Sequence, residues 1–180
     1  MVLNKVILLH SCCAICSGYP IMLLSELGYR PIVYFCNPNL DSYDEYNRRL
    51  EAQKKLCNNY GVELIIDNYN HDEYLTYIKG LEGELEKGCR CDKCIELRLR
   101  KTALKANELD IKEFTTSLTI SPHKNFAKIH SLGENIAKEY GLNYPSFDFK
   151  KKDGFLKTNK ISKELNLYRQ NYCGCEFAKR

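Results

Sequence analysis

The feature that most constrains the fold of this 180-residue chain is a short apolar run that ends in a group of thiols. Residues 6–9 have the length and composition of a buried β-strand, and Cys12, Cys13 and Cys16 follow closely. Adjacent side chains in a strand point to opposite faces, and adjacent cysteines form a disulfide only with strain in the peptide between them. We therefore expect Cys12 and Cys13 to lie in a turn, where both sulfurs reach one metal ion or cluster.

Segments with the patterns of strands and helices alternate along the chain. Runs rich in β-branched and aromatic residues predict further strands at 31–36, 62–67 and 114–118, with 144–149 as a fifth candidate. Apolar residues at helical spacing predict helices at 17–27, 42–60, 71–86, 92–109, 129–140 and around 161–165. Ser17 is the predicted N-cap of the first helix, and Ser42 with Glu45 forms a predicted capping box at the second.

This order of elements is typical of an α/β fold with a parallel sheet flanked by helices. Ligands of such sheets bind beyond the carboxyl ends of the strands, which is where the first thiols fall. Because the sequence contains no repeat, linker or low-complexity segment, we expect residues 1–180 to form a single domain.

The ten cysteines would suit a secreted disulfide scaffold, but no signal peptide is recognisable and no apolar stretch approaches the roughly 20 residues of a membrane span. With 44% hydrophobic residues, the chain can bury a core without disulfides. We therefore expect a cytoplasmic protein with no membrane contact, whose thiols bind metal or carry out redox chemistry.

Two further cysteine groups lie at Cys91-x-x-Cys94 and at Cys173-Gly174-Cys175. The first pair has the spacing of a two-thiolate chelate, and together with Cys12 and Cys13 it supplies four ligands for zinc or an iron–sulfur cluster. We favour the cluster, because two adjacent cysteines chelate one small ion poorly. The last pair either forms a strained, reducible disulfide or adds two more metal ligands. Cys16 is a candidate for a second metal site beside the cluster or for a proton donor.

The other polar candidates have weaker patterns. Cys57 is predicted to be core, Cys36 ends a buried strand, and Cys89 has no predicted role. His123, in the loop after the fourth strand, is the one histidine kept as a proton-transfer candidate. Aspartates are expected as caps or salt-bridge partners at Asp41, Asp67 and Asp92. Aromatic side chains predicted near the site, where an unpaired base could stack, are Tyr34, Phe35, Tyr43, Tyr46, Tyr168 and Tyr172.

Positive charge is concentrated around two of the cysteine groups. The chain carries a net charge of +4, yet residues 87–105 contain seven basic and two acidic residues, and residues 150–180 contain nine and three. A solvated surface accounts for such segments, and so does a polyanionic partner. If the partner is a polyanion, the basic helix after Cys94 and the basic tail are the segments that we expect to contact it.

Across essentially its whole length, the sequence resembles the epoxyqueuosine reductases of the QueH type. The matching stretches are HSCCAIC at 10–16, NPN at 37–39, RCDKCIELRL at 90–99, TTSL at 115–118 with SP at 121–122, and LYRQNYCGC at 167–175. The departures from the family pattern are Ile15, where proline is usual, and the additional thiols Cys36 and Cys89.

The resemblance implies a Rossmann-like fold related to the adenine-nucleotide hydrolases, and an enzyme that reduces epoxyqueuosine to queuosine in the tRNA anticodon loop without cobalamin. It also implies a 4Fe-4S cluster on Cys12, Cys13, Cys91 and Cys94, a redox-active disulfide of Cys173 with Cys175, and an adjacent mononuclear iron at Cys16. An external electron donor is then required. The alternatives are a zinc-stabilised RNA-binding module without catalysis and an ATP-dependent tRNA thiolase; the second is disfavoured because no Gly-rich phosphate loop follows the first strand.

Overall fold

The structure, a computed structural model, describes residues 5–179. Within this part of the chain, four parallel strands form one sheet in the order β3-β2-β1-β4. The strands are β1 (Lys5–Ser11), β2 (Tyr29–Phe35), β3 (Leu64–Ile66) and β4 (Phe114–Thr116). The predicted parallel sheet is confirmed, and the four strands fall inside or overlap the predicted segments.

Six α-helices of the described chain surround the sheet: α1 (Ala14–Glu26), α2 (Tyr43–Tyr60), α3 (His71–Tyr77), α4 (Cys89–Glu108), α5 (Phe126–Tyr140) and α6 (Gly154–Glu164). Short 3-10 turns occupy Ser117–Ile120 and Glu176–Ala178. Within residues 5–179, no helix combines the length and apolar character required to cross a bilayer.

The two faces of the sheet carry separate hydrophobic clusters, because side chains alternate along each strand. Leu8 packs with Leu99 of α4 and Ile136 of α5 on one face. Leu9 packs with Leu24 of α1 and Leu56 of α2 on the other. Both faces of β1 are therefore covered, and its carboxyl end is held at a fixed position between two layers of helices.

Helices α1 and α4 are among those that begin earlier than predicted, and both of these shifts affect cysteines. The N-cap of α1 is Cys13 and not Ser17, whose hydroxyl lies inside the helix and donates to the Cys13 carbonyl at 2.9 Å. Gly88 is the N-cap of α4, which begins at Cys89 and not near Asp92. Cys16 therefore lies in the first turn of α1, and the Cys91-x-x-Cys94 pair lies within the start of α4.

The predicted fifth strand is wrong. Residues 144–149 have no regular secondary structure, and only the single bridge between Glu113 and Asn143 extends the sheet there. Pro145 lacks the N–H that a ladder needs, and the Phe147 N–H bonds back to the Pro145 carbonyl at 3.1 Å. The chain turns at this point, and Phe149 enters the core beside α1.

Helix α6 is attached to α1 by a side chain that enters the α1 backbone. The Thr158 hydroxyl accepts from the Tyr19 N–H at 3.3 Å and donates to the Ile15 carbonyl. Close approach is possible because two glycines lie at the contact. Gly18 faces Ile161, and a Cβ on Gly154 would overlap the Phe149 carbonyl oxygen and the Tyr19 ring.

We expect Gly154→Ala to lower the free energy of unfolding by about 1–3 kcal/mol, because the new methyl group has no space to occupy. Gly83→Ala is the matched control, since nothing lies within 4 Å of its Cβ position. Urea unfolding of both variants measures the difference. Equal stability of the two variants would contradict the close packing of α6 on α1.

Candidate metal and redox site

Three thiols meet where β1 ends and α1 begins. The Sγ atoms of Cys12, Cys13 and Cys16 all lie within 4.8 Å of one another, and those of Cys12 and Cys13 are 3.9 Å apart. Among residues 5–179, this is the one group of three potential metal ligands at such distances. Three soft sulfur donors on one side of a turn suit iron–sulfur clusters or zinc, so the donor set fits the predicted metal chemistry.

Hydrogen bonds from neighbouring elements hold the turn that carries these thiols. The Asn37 side-chain N–H donates to the Ser11 carbonyl at 2.9 Å, and the Ser11 hydroxyl donates to the Gln53 amide oxygen at 2.6 Å. From the end of β4, the Ser117 hydroxyl accepts from the Cys12 N–H at 3.3 Å and lies 3.6 Å from its sulfur. β2, α2 and the segment after β4 thus all fix the turn.

Because the three sulfurs lie close together, their thiols have different pKa values. Hydrogen bonds from the Cys13 and Cys16 thiols hold the pKa of Cys12 well below its usual range, and the Ser117 hydroxyl adds to this effect. Because they donate to that sulfur, the pKa of Cys13 is raised to about 12 and that of Cys16 is also raised. Cys12 is therefore the first of the three to form a thiolate, which is the form in which a cysteine binds metal.

A cavity of about 330 Å³ lies beside these thiols and also reaches the C-terminal tail. Cys12, Cys13 and Cys16 line one part of it, and Cys173 lines another. The structure thus brings together predicted site residues from the two ends of the chain. His123, the proton-transfer candidate, is an exposed lining residue of the same cavity.

Three cations, Arg49, Arg98 and Lys124, line this cavity together with the acidic residue Glu86. Arg98 is 2% exposed, and although burial acts in the opposite direction, the nearby Cys94, Cys173 and Cys12 sulfurs raise its pKa. The Lys124 ammonium lies 3.8 Å from the Cys173 sulfur. No ion pair of Arg98 or Lys124 with a carboxylate occurs within the described chain. Their charge is therefore directed toward the sulfur groups.

Arg49 fixes the tail at this position, a role that was missed in the sequence. Its guanidinium donates to the carbonyls of Cys173 at 3.0 Å and Tyr172 at 3.2 Å, and pairs with Glu45 at 2.7 Å. Gly174 permits this path because its φ of 122° is unfavourable for other residues and a Cβ would overlap Leu40. A charged residue on the apolar face of α2 was the available signal.

Comparison with known proteins identifies the family. The model of the family "Epoxyqueuosine reductase QueH" matches residues 7–180. The chain belongs to this family. An epoxyqueuosine reductase QueH of Streptococcus pyogenes is 39% identical over 178 residues, covering 96% of this chain and 69% of the relative. One from Acinetobacter baylyi is 36% identical over 175 residues, covering 97% and 80%.

The predicted fold is confirmed by comparison with a solved structure. The U34-tRNA thiolase NcsA of Methanococcus maripaludis, solved with its 4Fe-4S cluster, superposes with a TM-score of 0.62 at 16% identity, over 98% of this chain and 62% of the thiolase. At this identity the likeness shows the fold alone. Together with the parallel sheet, it confirms the predicted Rossmann-like, adenine-nucleotide hydrolase-like architecture.

The other two thiols of the ligand set implied by the QueH resemblance lie apart from the first three. Cys91 accepts from the Lys87 N–H at 3.2 Å and lines an adjoining cavity, which shares His123 and Lys124 with the first. Cys94 is buried with Cys175 in an apolar cluster, and burial raises its pKa to about 11. The four-thiolate set and the disulfide of Cys173 with Cys175 therefore stay predictions.

The structure also tests the roles predicted for the remaining cysteines, the aspartates and the aromatic side chains. Cys57 is core as predicted, and the buried Cys36 thiol donates to Asp67 at 3.4 Å. The three aspartates are salt-bridge partners as predicted: Asp41 of Lys179, Asp67 of Lys101 and Asp92 of Lys128. The prediction of base-stacking surfaces is wrong for Tyr34, Phe35 and Tyr46, which are buried, whereas Tyr43 is 62% exposed and Tyr172 lines the cavity.

His10 joins three strands directly below the thiols. Its Nε2–H donates to the Cys36 carbonyl at 3.0 Å, and its Nδ1 accepts from the Thr116 hydroxyl at 2.8 Å. Because a carbonyl can only accept, this pairing defines the neutral tautomer. Burial, with a further contribution from Arg98, lowers the pKa of His10 to about 4.

We expect this histidine to make the fold sensitive to acid. The ordinary pKa of 6.5 in the unfolded chain lies above the folded value of about 4, so unfolding takes up a proton between them. The stability supplied by neutral His10 is present above about pH 6.5 and is lost as the pH falls toward 4, by up to about 1.4 kcal/mol per pH unit. His10→Gln keeps a donor and an acceptor without titrating. Urea unfolding of both proteins across this range measures the difference, and parallel curves would contradict it.

Proposed function

We propose that the chain reduces epoxyqueuosine to queuosine in the tRNA anticodon loop, with electrons supplied through thiol-bound metal and a Cys173–Cys175 pair. Its family is an oxidoreductase family, which fixes the class of reaction. The observation that carries the proposal is the single cavity shared by the Cys12, Cys13 and Cys16 thiols and by Cys173. The compartment we propose is the cytoplasm, where tRNA is accessible and thiols remain reduced.

The electron balance of the reaction matches the chemistry of the pair. Conversion of an epoxide to an alkene consumes two electrons and two protons and releases the oxygen as water. Oxidation of Cys173 and Cys175 to a disulfide releases two electrons and two protons. One dithiol therefore supports one turnover, and an external dithiol donor must reduce the disulfide by exchange before the next.

The metal ligands we propose remain those implied by the family resemblance: Cys12, Cys13, Cys91 and Cys94 for a 4Fe-4S cluster, with Cys16 at an adjacent mononuclear iron. The proximity of Cys12, Cys13 and Cys16 supports the first part of this set. When bound, such metals supply one-electron transfer and Lewis-acid polarisation of the epoxide oxygen.

Cationic side chains of the protein stabilise negative charge in the cavity. Arg98 is held in place because its Nε donates to the Cys94 carbonyl at 3.2 Å one helical turn earlier. In a buried setting, a fixed cation stabilises thiolates far more than one in water. Lys124 acts in the same way on Cys173, and His123 at the exposed rim is placed to deliver a proton from solvent.

The composition of the purified protein tests the metal assignment. We expect anaerobically purified protein to contain iron and acid-labile sulfide, with an EPR signal that changes on reduction with dithionite. Iron in excess of sulfide would support the second site. Zinc without sulfide would contradict the proposal and favour the zinc-stabilised RNA-binding module.

The thiol pair is tested by turnover. We expect Cys173→Ser and Cys175→Ser each to lose multiple turnover on epoxyqueuosine-containing tRNA, because neither variant can complete the disulfide. Cys89→Ser, at an exposed thiol on α4, is the matched control and keeps multiple turnover. Free thiols counted in the wild type after one turnover without donor fall by two per product. Full turnover by Cys173→Ser would remove the pair from the reaction.

A further inference from the structure

The basic residues of α4 are engaged within the protein, which argues against α4 as one of the two polyanion-binding segments predicted from sequence; the other is the basic tail from residue 150. Four of them form ion pairs at 2.5–3.0 Å: Lys93 with Glu96, Arg100 with Glu96 and Glu139, Lys101 with Glu73, and Lys105 with Glu108. The remaining two are buried, Arg90 beneath the Phe177 ring and Arg98 at the cavity. Their charge is largely neutralised before any partner arrives.

A second group of basic residues lies in the turn before α6 and in the first turns of that helix. Lys151 and Lys152 are exposed in the turn before α6, and Lys157 is exposed in its first turns. Neither these three nor Lys150 forms an ion pair within residues 5–179. Residues 150–160 contain five lysines and a single acidic residue, Asp153.

This group is joined to the candidate site by a direct contact. The Lys150 ammonium donates to the Lys124 carbonyl at 2.8 Å, and Lys124 lines the cavity beside Cys173. Helix α6 is also attached to α1 beside Cys16 through the Thr158 hydroxyl. A polyanion lying along these lysines therefore reaches the mouth of the thiol cavity.

We propose that Lys150, Lys151, Lys152 and Lys157, which we call the lysine turn, form the surface that binds the phosphate backbone of the tRNA substrate. Lysine ammonium groups act as point charges that attract phosphates without reading sequence. The proposal rests on the proposed function, because it takes tRNA as the substrate. It assigns the binding face to the lysine turn and excludes α4.

Two variants with equal loss of charge test this assignment. Lys151→Gln/Lys152→Gln/Lys157→Gln removes three cations that have no carboxylate partner, although Lys157 lies 5.1 Å from the centre of the Tyr19 ring. Lys93→Gln/Arg100→Gln/Lys105→Gln removes three cations of α4 that pair with carboxylates. Binding of an in vitro transcribed tRNA is measured by fluorescence anisotropy over a series of KCl concentrations. Circular dichroism checks that both variants are folded.

We expect the lysine-turn variant to bind on the order of tenfold to a hundredfold more weakly, and the slope of log K against log salt to fall in magnitude by about 2 to 3. The α4 variant is expected to bind like the wild type. Equal weakening of both variants, or weakening of the α4 variant alone, would overturn the assignment of the surface. Failure of the wild-type protein to bind the tRNA would instead contradict the proposed function.

Discussion

The contacts of the buried Arg49 guanidinium hold the C-terminal tail against α2, and the thiol cavity depends on them. Together with the bond from the Asp41 N–H to the Gly174 carbonyl at 2.8 Å, they place Cys173 beside a cavity that Cys12 and Cys13, at the other end of the chain, also line. Breaking a buried ion pair typically costs about 3–5 kcal/mol, and the pair of Arg49 with Glu45 is buried on both sides. Glu45 also accepts from the Tyr168 hydroxyl at 2.8 Å, so one carboxylate orders two points of the tail.

Charge is distributed in the molecule according to what each group contacts. Four of the six cations of α4 pair with neighbouring carboxylates, whereas Arg98 of the same helix and Lys124 lie near sulfur. A group of thiols that takes on metal becomes a centre of negative charge, and a low-dielectric setting makes nearby cations effective in stabilising it. The protein thus keeps its least compensated cations around the cavity and on the adjacent surface.

Local patterns in the sequence predicted most of the fold. Strand composition located the four strands, and Gly61 and Gly141 end their helices in the left-handed conformation that glycine permits. Ser42 caps α2 as predicted, but Glu45 does not complete the capping box, because its carboxylate pairs with Arg49 and Tyr168. In the candidate site, the grouping of Cys12 and Cys13 followed from their adjacency at a strand end.

The features missed in the sequence depend on contacts between distant segments. Cys13 rather than Ser17 caps α1, in a turn also fixed by Asn37, Gln53 and Ser117. The Arg49 guanidinium donates to carbonyls more than 120 positions away. Because every residue has a backbone carbonyl, the sequence does not indicate which one a side chain will contact. The ion pairs of α4 with α3 and α5 likewise form only once these helices pack.

The Thr158 hydroxyl occupies the place of a backbone hydrogen bond in α1, since it contacts both the Tyr19 N–H and the Ile15 carbonyl. α1 and α6 are therefore mechanically linked at the turn that carries Cys16. The backbone geometry of the turn that carries Cys16 therefore includes a contribution from a residue 143 positions away in the sequence.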